Sequence, residues 1–238
     1  MKAIILAAGI GKRLKPFTDN LPKCLIEIGG KTLLERHLAV FNESGIKETF
    51  IVVGHKKEEI ISRFGKNYFG MKISYIENSA YRTSGSGYSL WLGLKAAQEE
   101  ILFMDGDLAY EREMLKNFIA REESDVLLVG DDKGVDDEGV KVLVEGEFIR
   151  EIGKLAGKAL PVAGESVGIV RLSQLSQKML KDKMNEHIQS KDIDFEWEHV
   201  LNECLDDLDL GYMNAGKYQW VEIDFEGDVL RAKHILKP

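Results

Sequence analysis

Two groups of side chains in this 238-residue chain have the types and spacing for chemistry on phosphate. The first lies near the N-terminus, where Gly9, Gly11, Lys12 and Arg13 are followed by Lys23. Backbone N–H groups can crowd an anion only where Cβ atoms are missing, so two glycines and two separated cations make a cradle for a polyphosphate. The second group is acidic: Asp105 and Asp107 follow one apolar run and Asp224 follows another. Carboxylates from distant strand ends can meet over one hard cation, and Mg2+ takes water and substrate phosphate for its remaining positions. An oxygen nucleophile that is already ionised at neutral pH needs alignment and charge neutralisation more than a general base for displacement at phosphorus.

These groups need elements to hold them, and the apolar pattern supplies alternating ones. Strands are expected at Lys2–Ala8, Thr49–Val53, Lys72–Glu77, Glu100–Met104 and Asp125–Val129. Helices are expected at Thr32–Ser44 with Thr32 as N-cap, Lys56–Phe64, Ser86–Gln98 and Glu111–Glu122. Strand–helix alternation with continuous apolar strands predicts a Rossmann-like α/β fold, a mixed and mostly parallel sheet with helices on both faces. Ligands then bind beyond the carboxyl ends of the strands.

After Gly130 the texture changes to an acidic stretch and a hairpin, Val140–Val144 and Phe148–Ile152, across Gly146. A strand is expected at Ser166–Val170, helices at Leu172–Ile188 and Phe195–Leu208, a short strand at Gln219–Ile223 and a closing helix at Glu226–Leu236. Residues 1–238 read as one domain, 1–130 binding nucleotide and 131–238 forming a small acceptor-side β/α subdomain.

Two common phosphate motifs do not fit the glycine turn. The dinucleotide fingerprint wants a third glycine where Leu14 stands, and the P-loop wants Ser or Thr where Arg13 follows Lys12. What fits is L-A-A-G-x-G-x-R-L at Leu6, Ala7, Ala8, Gly9 through Leu14, with Pro22-Lys23 after it. This pattern closely resembles the signature of the nucleotidyltransferases that make nucleotide-activated sugars and alcohols. The resemblance implies that Arg13 and Lys23 are catalytic and hold the nucleotide, that Leu6, Ala7, Ala8, Gly9 and Gly11 line the nucleotide site, and that Asp107 and Asp224 bind Mg2+. Asp105 is expected at the nucleotide.

Asn78 and the run Ser84-Gly85-Ser86-Gly87-Tyr88-Ser89-Leu90 occupy the base-recognising place. The run is similar to that of cytidylyltransferases acting on small phospho-alcohols, which implies CTP, with loop N–H groups and the Asn78 amide at the base or ribose. An Asx turn at Asn78 is the other reading. Lys154 and Glu165 match acceptor-binding positions. Ile152-Gly153-Lys154 leans to inositol 1-phosphate as acceptor, and Gly164-Glu165-Ser166-Val167-Gly168 to phosphocholine; 2-aminoethylphosphonate belongs to the same branch. Inositol 1-phosphate leads. An aromatic cage for a quaternary ammonium has candidates in Tyr81, Tyr88, Trp91, Tyr110, Trp197 and Trp220, of which Trp91 and Trp197 fit core packing better. Asp131, Asp132, Glu165 and Glu196 offer partners for polyol hydroxyls. A sugar-1-phosphate uridylyl- or thymidylyltransferase and a non-catalytic nucleotide-binding regulator are the alternatives.

The net charge of −8 with a locally basic N-terminus points to a small anion and away from nucleic acid. Cys24 and Cys204 make no disulfide framework, which argues for a reducing, cytoplasmic setting. The first ten residues are too short an apolar run for a signal peptide, no stretch could insert stably in a membrane, and no hexapeptide-repeat tail follows. The five histidines show no metal-ligand spacing. Oligomeric state is not legible.

Overall fold

The computed structural model describes residues 1–131, 139–153 and 160–236. Its strands are β1 (Lys2–Ala7), β2 (Glu27–Ile28), β3 (Lys31–Thr32), β4 (Glu48–Val53), β5 (Asn67–Tyr68), β6 (Met71–Glu77), β7 (Ile101–Asp105), β8 (Leu108–Tyr110), β9 (Val126–Gly130), β10 (Lys141–Glu145), β11 (Phe148–Gly153), β12 (Val162–Leu172), β13 (Gly211–Asn214) and β14 (Trp220–Glu222). The helices are α1 (Leu33–Glu43), α2 (Lys57–Phe64), α3 (Ser86–Ala96), α4 (Arg112–Ile119), α5 (Gln174–Gln189), α6 (Trp197–Glu203) and α7 (Glu226–Ile235).

Ten strands form one mixed sheet in the order β10-β11-β13-β9-β12-β7-β1-β4-β6-β5. Around β1 the pairing is parallel, to β4 on one side and β7 on the other. The second half of the chain joins the same sheet through β12, which runs antiparallel to both β7 and β9.

Side chains alternate across a strand, and β1 shows the result. Ala3, Ile5 and Ala7 pack with Leu34, Leu38 and Phe41 of α1, while Ile4 and Leu6 pack with Leu90 and Leu94 of α3 and Trp197 of α6. A third apolar cluster joins Leu14 of the glycine turn to Ala109, Val221, Ile223 and, in α7, Val229 and Ala232. That cluster seats the turn and the C-terminal elements on each other.

Thr32 caps α1 as expected, in a reciprocal capping box with Glu35. The hairpin across Gly146 is present, with Gly146 at a φ of 63°. Two expectations change. The helix expected over Phe195–Leu208 is confined to Trp197–Glu203. Before it the backbone is extended, the Ile193 and Phe195 carbonyls accepting the N–H groups of Gly85 and Gly87 at 3.0 and 2.9 Å; after it the N–H groups of Cys204, Leu205 and Asp207 donate to carbonyls three residues back, as turns. The stretch after Asp107, to which the sequence reading gave no element, is β8, which pairs antiparallel with β14.

Candidate active site

The β8–β14 ladder puts the two expected metal-binding carboxylates at one end. Ile223 N–H donates to the Asp107 carbonyl at 3.0 Å, just before Asp224. Gly106 N–H donates to the Leu6 carbonyl at 2.9 Å, and a Cβ on Gly106 would lie 2.7 Å from that oxygen. Only glycine lets this turn lie against β1. Asp224 is held from the other side, where the Asp228 carboxylate accepts the N–H groups of Asp224 and Phe225.

Oxygens of Asp107, Asp224 and Glu222 lie within 4.8 Å of one another. Three carboxylates are a hard oxygen donor set of the kind Mg2+ prefers. Glu222 was absent from the sequence reading because it sits inside a strand; its place opposite Leu108 in the ladder is what turns it toward the other two. Burial first, then the charges of Asp107 and Asp224, push its carboxyl up to about 8.

Lys23 bridges the pair, its Nζ 2.9 Å from Asp107 Oδ2 and 2.5 Å from Asp224 Oδ1. Burial alone would lower the lysine's pKa, but the two carboxylates outweigh it and hold the ammonium above its ordinary range. Arg13 Nη2 lies 2.5 Å from Asp224 Oδ2, and its guanidinium lies over the Phe225 ring. The glycine turn, the cations and the acidic strand ends thus form one constellation.

Gly11 carries a φ of 65°, and a Cβ there would come within 2.8 Å of the Lys23 side chain. The Thr18 hydroxyl donates to the Gly11 carbonyl and fixes the turn. Beside Gly9, by contrast, a Cβ would meet nothing within 4 Å. Leu6, Ala8 and Gly9 line a cavity of about 250 Å³, together with Asn78, Ser84, Gly85, Ser86, Asp105 and Asp107. Ala7 is buried on the opposite face of β1 and supports the turn from behind.

The expected role of the Ser84–Gly87 loop needs correction. The Gly85 and Gly87 N–H groups are spent on Ile193 and Phe195, and Ser86 N–H and hydroxyl go to the Glu196 carboxylate. Those donors are taken up within the fold, and Glu196 supplies the negative charge that the N-terminus of α3 favours. A Cβ on Gly87 would sit 2.3 Å from the Phe195 ring, so packing is what requires glycine there. Asn78 is buried; its amide donates to Ser84 and Ser89 and its oxygen accepts from Ala80 N–H, an Asx turn that shapes the cavity wall.

Asp105 borders this cavity and a larger one of about 970 Å³ lined also by Arg13, Asp131, Glu165, Glu198, Trp220, Asp224 and Asp228. Burial, then the charges of Glu198, Asp107 and Glu222, drive its carboxyl well above the ordinary range against a hydrogen bond from Trp197. Gly168, at a φ of 78°, leaves the space its oxygen occupies. Glu165 is paired with Lys141 at 2.8 Å. Lys154 and Asp132 lie outside the described residues. Trp197 is core, edge-on to Phe103, and Trp91 donates to Asn185 on the helical surface.

His37, another residue missing from the sequence reading, stands behind this site fully buried. Its Nε2 is 3.3 Å from the Gly106 carbonyl and its Nδ1 is 2.8 Å from the Tyr110 hydroxyl. The carbonyl can only accept, so Nε2 carries the proton and Nδ1 accepts from Tyr110. Burial pulls the imidazole down to about 4. The unfolded chain therefore binds a proton that the folded one refuses between pH 6.5 and about 4. The contribution of His37 to stability is expected to be complete above pH 6.5 and to fall by up to about 3 kcal/mol through that window, against the opposite trend of the raised Glu222 carboxyl. Urea unfolding at pH 7 and pH 4 measures it; His37→Gln should lose less over the same interval, and an equal loss would acquit the histidine. Cys24, beside Lys23, is buried and its thiol is pushed above its ordinary range, which leaves it inert.

The chain matches the MobA-like NTP transferase domain over residues 3–172. It is 27% identical to the choline-phosphate cytidylyltransferase of Streptococcus pneumoniae, with 100% of this chain and 99% of that protein covered. The solved CTP:phosphocholine cytidylyltransferase of the same organism superposes with a TM-score of 0.81 at 24% identity, covering 99% of each chain. The inositol-1-phosphate CTP transferase of T. maritima gives 0.78 at 23% identity, covering 98% of this chain and 95% of that one. At such identities the superpositions speak for the fold. The domain match spans most of the chain, and on it this protein belongs to the MobA-like NTP transferase family and is a nucleotidyltransferase.

Proposed function

We propose that the protein is a Mg2+-dependent cytidylyltransferase that transfers CMP from CTP to a small phosphorylated alcohol and releases pyrophosphate. The observation that carries the reading is the meeting of two cavities at one acidic cluster, with the Arg13 and Lys23 cations beside it. The smaller cavity is lined by the residues expected at the nucleotide, and the larger one leaves room for an acceptor.

Asp107 and Asp224, with Glu222, would hold the Mg2+, which when bound neutralises phosphate charge and favours in-line displacement. An acceptor phosphate oxygen attacks the α-phosphorus; the bond to the bridging oxygen breaks and its electron pair leaves with pyrophosphate. Lys23 and Arg13 hold the triphosphate and balance the charge that develops on the leaving oxygens. Lys154 is the proposed ligand of the acceptor phosphate.

For the acceptor, the wall of the larger cavity supports a cationic head group of the phosphocholine or 2-aminoethylphosphonate kind. Asp131, Glu165, Glu198 and Asp228 line it with Trp220, and carboxylates with an aromatic face attract an ammonium. Inositol 1-phosphate, the lead from the sequence, is the second reading, since the same carboxylates accept hydroxyl protons.

The test is pyrophosphate release by the full chain with Mg2+, crossing CTP, UTP and dTTP with phosphocholine, 2-aminoethylphosphonate, inositol 1-phosphate and glucose 1-phosphate. The highest kcat/KM is expected for CTP with a cationic acceptor. Trp220→Ala should raise the KM of that acceptor roughly tenfold and leave that of CTP unchanged. Preference for UTP or dTTP with the sugar phosphate would replace the reading, and nucleotide binding without turnover across the panel would make the protein a regulator.

A further inference from the structure

The five histidines show no ligand spacing along the chain, yet the fold brings two of them together with a carboxylate. His187 near the C-terminal end of α5, and His199 and Glu203 one turn apart on α6, place their donor atoms within 4.8 Å of one another. Glu203 Oε1 lies 3.0 Å from His187 Nε2 and 3.2 Å from His199 Nε2. The far side of the His187 ring has its own partner, Asp192 Oδ2 at 3.6 Å from Nδ1.

We propose that these residues form a binding site for a divalent transition metal of the Zn2+ class, separate from the acidic cluster. Two imidazoles and one carboxylate are the donor set that Zn2+ accepts in four-coordinate sites, leaving one position for water. Separations of 3.0 and 3.2 Å between donors on different residues are those of neighbouring ligands around one small ion. Asp192, 3.6 Å from the nitrogen facing away from the metal, stands within a small side-chain shift of the outer carboxylate partner that a ligating histidine commonly has. Imidazole ligands also separate this site chemically from the three-carboxylate cluster, which suits a hard cation.

The site has a structural consequence close by. His187 packs against Phe195 with ring centroids 4.9 Å apart, and Asp192 N–H donates to the His187 carbonyl. Asp192 and Phe195 bracket the extended segment whose carbonyls engage Gly85 and Gly87. A metal joining α5 to α6 would therefore brace the wall of the nucleotide cavity from outside. His199 also borders the larger cavity, so the metal sits at its flank.

The experiment titrates the chelator-stripped full chain with Zn2+, and with Co2+ for its visible spectrum, in millimolar Mg2+ to occupy the carboxylates. One tight Zn2+ per chain is expected, with intense Co2+ d–d bands of a four-coordinate site and a rise in Tm. His199→Ala and Glu203→Gln should each weaken uptake by more than about a hundredfold, and Asp192→Asn by roughly ten- to a hundredfold. Because His199 is largely exposed, its variant folds, and a lost signal reports the ligand. Uptake that survives these changes but disappears in Asp107→Asn would put the metal in the acidic cluster and overturn the proposal. Absence of stoichiometric uptake would overturn it too.

Discussion

Replacing Asp107 by Asn is expected to lower Mg2+-dependent turnover by about a thousandfold or more while leaving the fold in place. The change removes one of three clustered carboxylates and no volume. The backbone that carries it is fixed independently, by Gly106 N–H on Leu6, by Ile223 N–H on the Asp107 carbonyl and by His37 beneath. Lys23 keeps Asp224 as a partner. The Tm should move little, and raising Mg2+ should recover a small part of the rate. Pyrophosphate release across a Mg2+ titration reads both quantities. Full activity at ordinary Mg2+ would remove this carboxylate from the mechanism.

Lys23→Met is expected to act twice. Turnover should fall by about a hundredfold or more, because no other cation lies between Asp107 and Asp224 among the described residues to accompany the triphosphate. In the absence of metal the variant should also lose about 2 kcal/mol of stability, since Asp107 and Asp224 are left without the ammonium that offsets their repulsion. Mg2+ should restore more stability to the variant than to the parent, because a divalent cation replaces the missing charge. Thermal unfolding with and without Mg2+ separates the two effects. Equal Mg2+ responses in both proteins would mean that lysine and metal do not compete for the same oxygens.

Much of this was legible in the residues. The glycine turn, Arg13, Lys23 and the two aspartates announce themselves because their chemistry depends on fixed offsets from strand ends. The alternating elements around β1 follow from apolar runs that local pattern preserves. What escaped was created by long-range pairing. Glu222 reads as an ordinary strand residue until the ladder with Leu108 turns it inward. Glu196 was assigned to acceptor hydroxyls, and the start of α3 claims it. Gly85 and Gly87 were read as loop glycines whose N–H groups reach the base or ribose, but those N–H groups meet the segment through Phe195. His37, alone on an apolar helix face, gives no sign that its partner is the Gly106 carbonyl.

The ladder between Leu108–Tyr110 and Trp220–Glu222 also sets an order in time. The matched domain stops at residue 172, yet Asp224 and the helix that pins it come later. A nascent polypeptide emerging from the ribosome only as far as Leu172 would carry the phosphate turn and Asp107 but not their counterpart. Competence arrives last, when the tail closes back over the first-made strands.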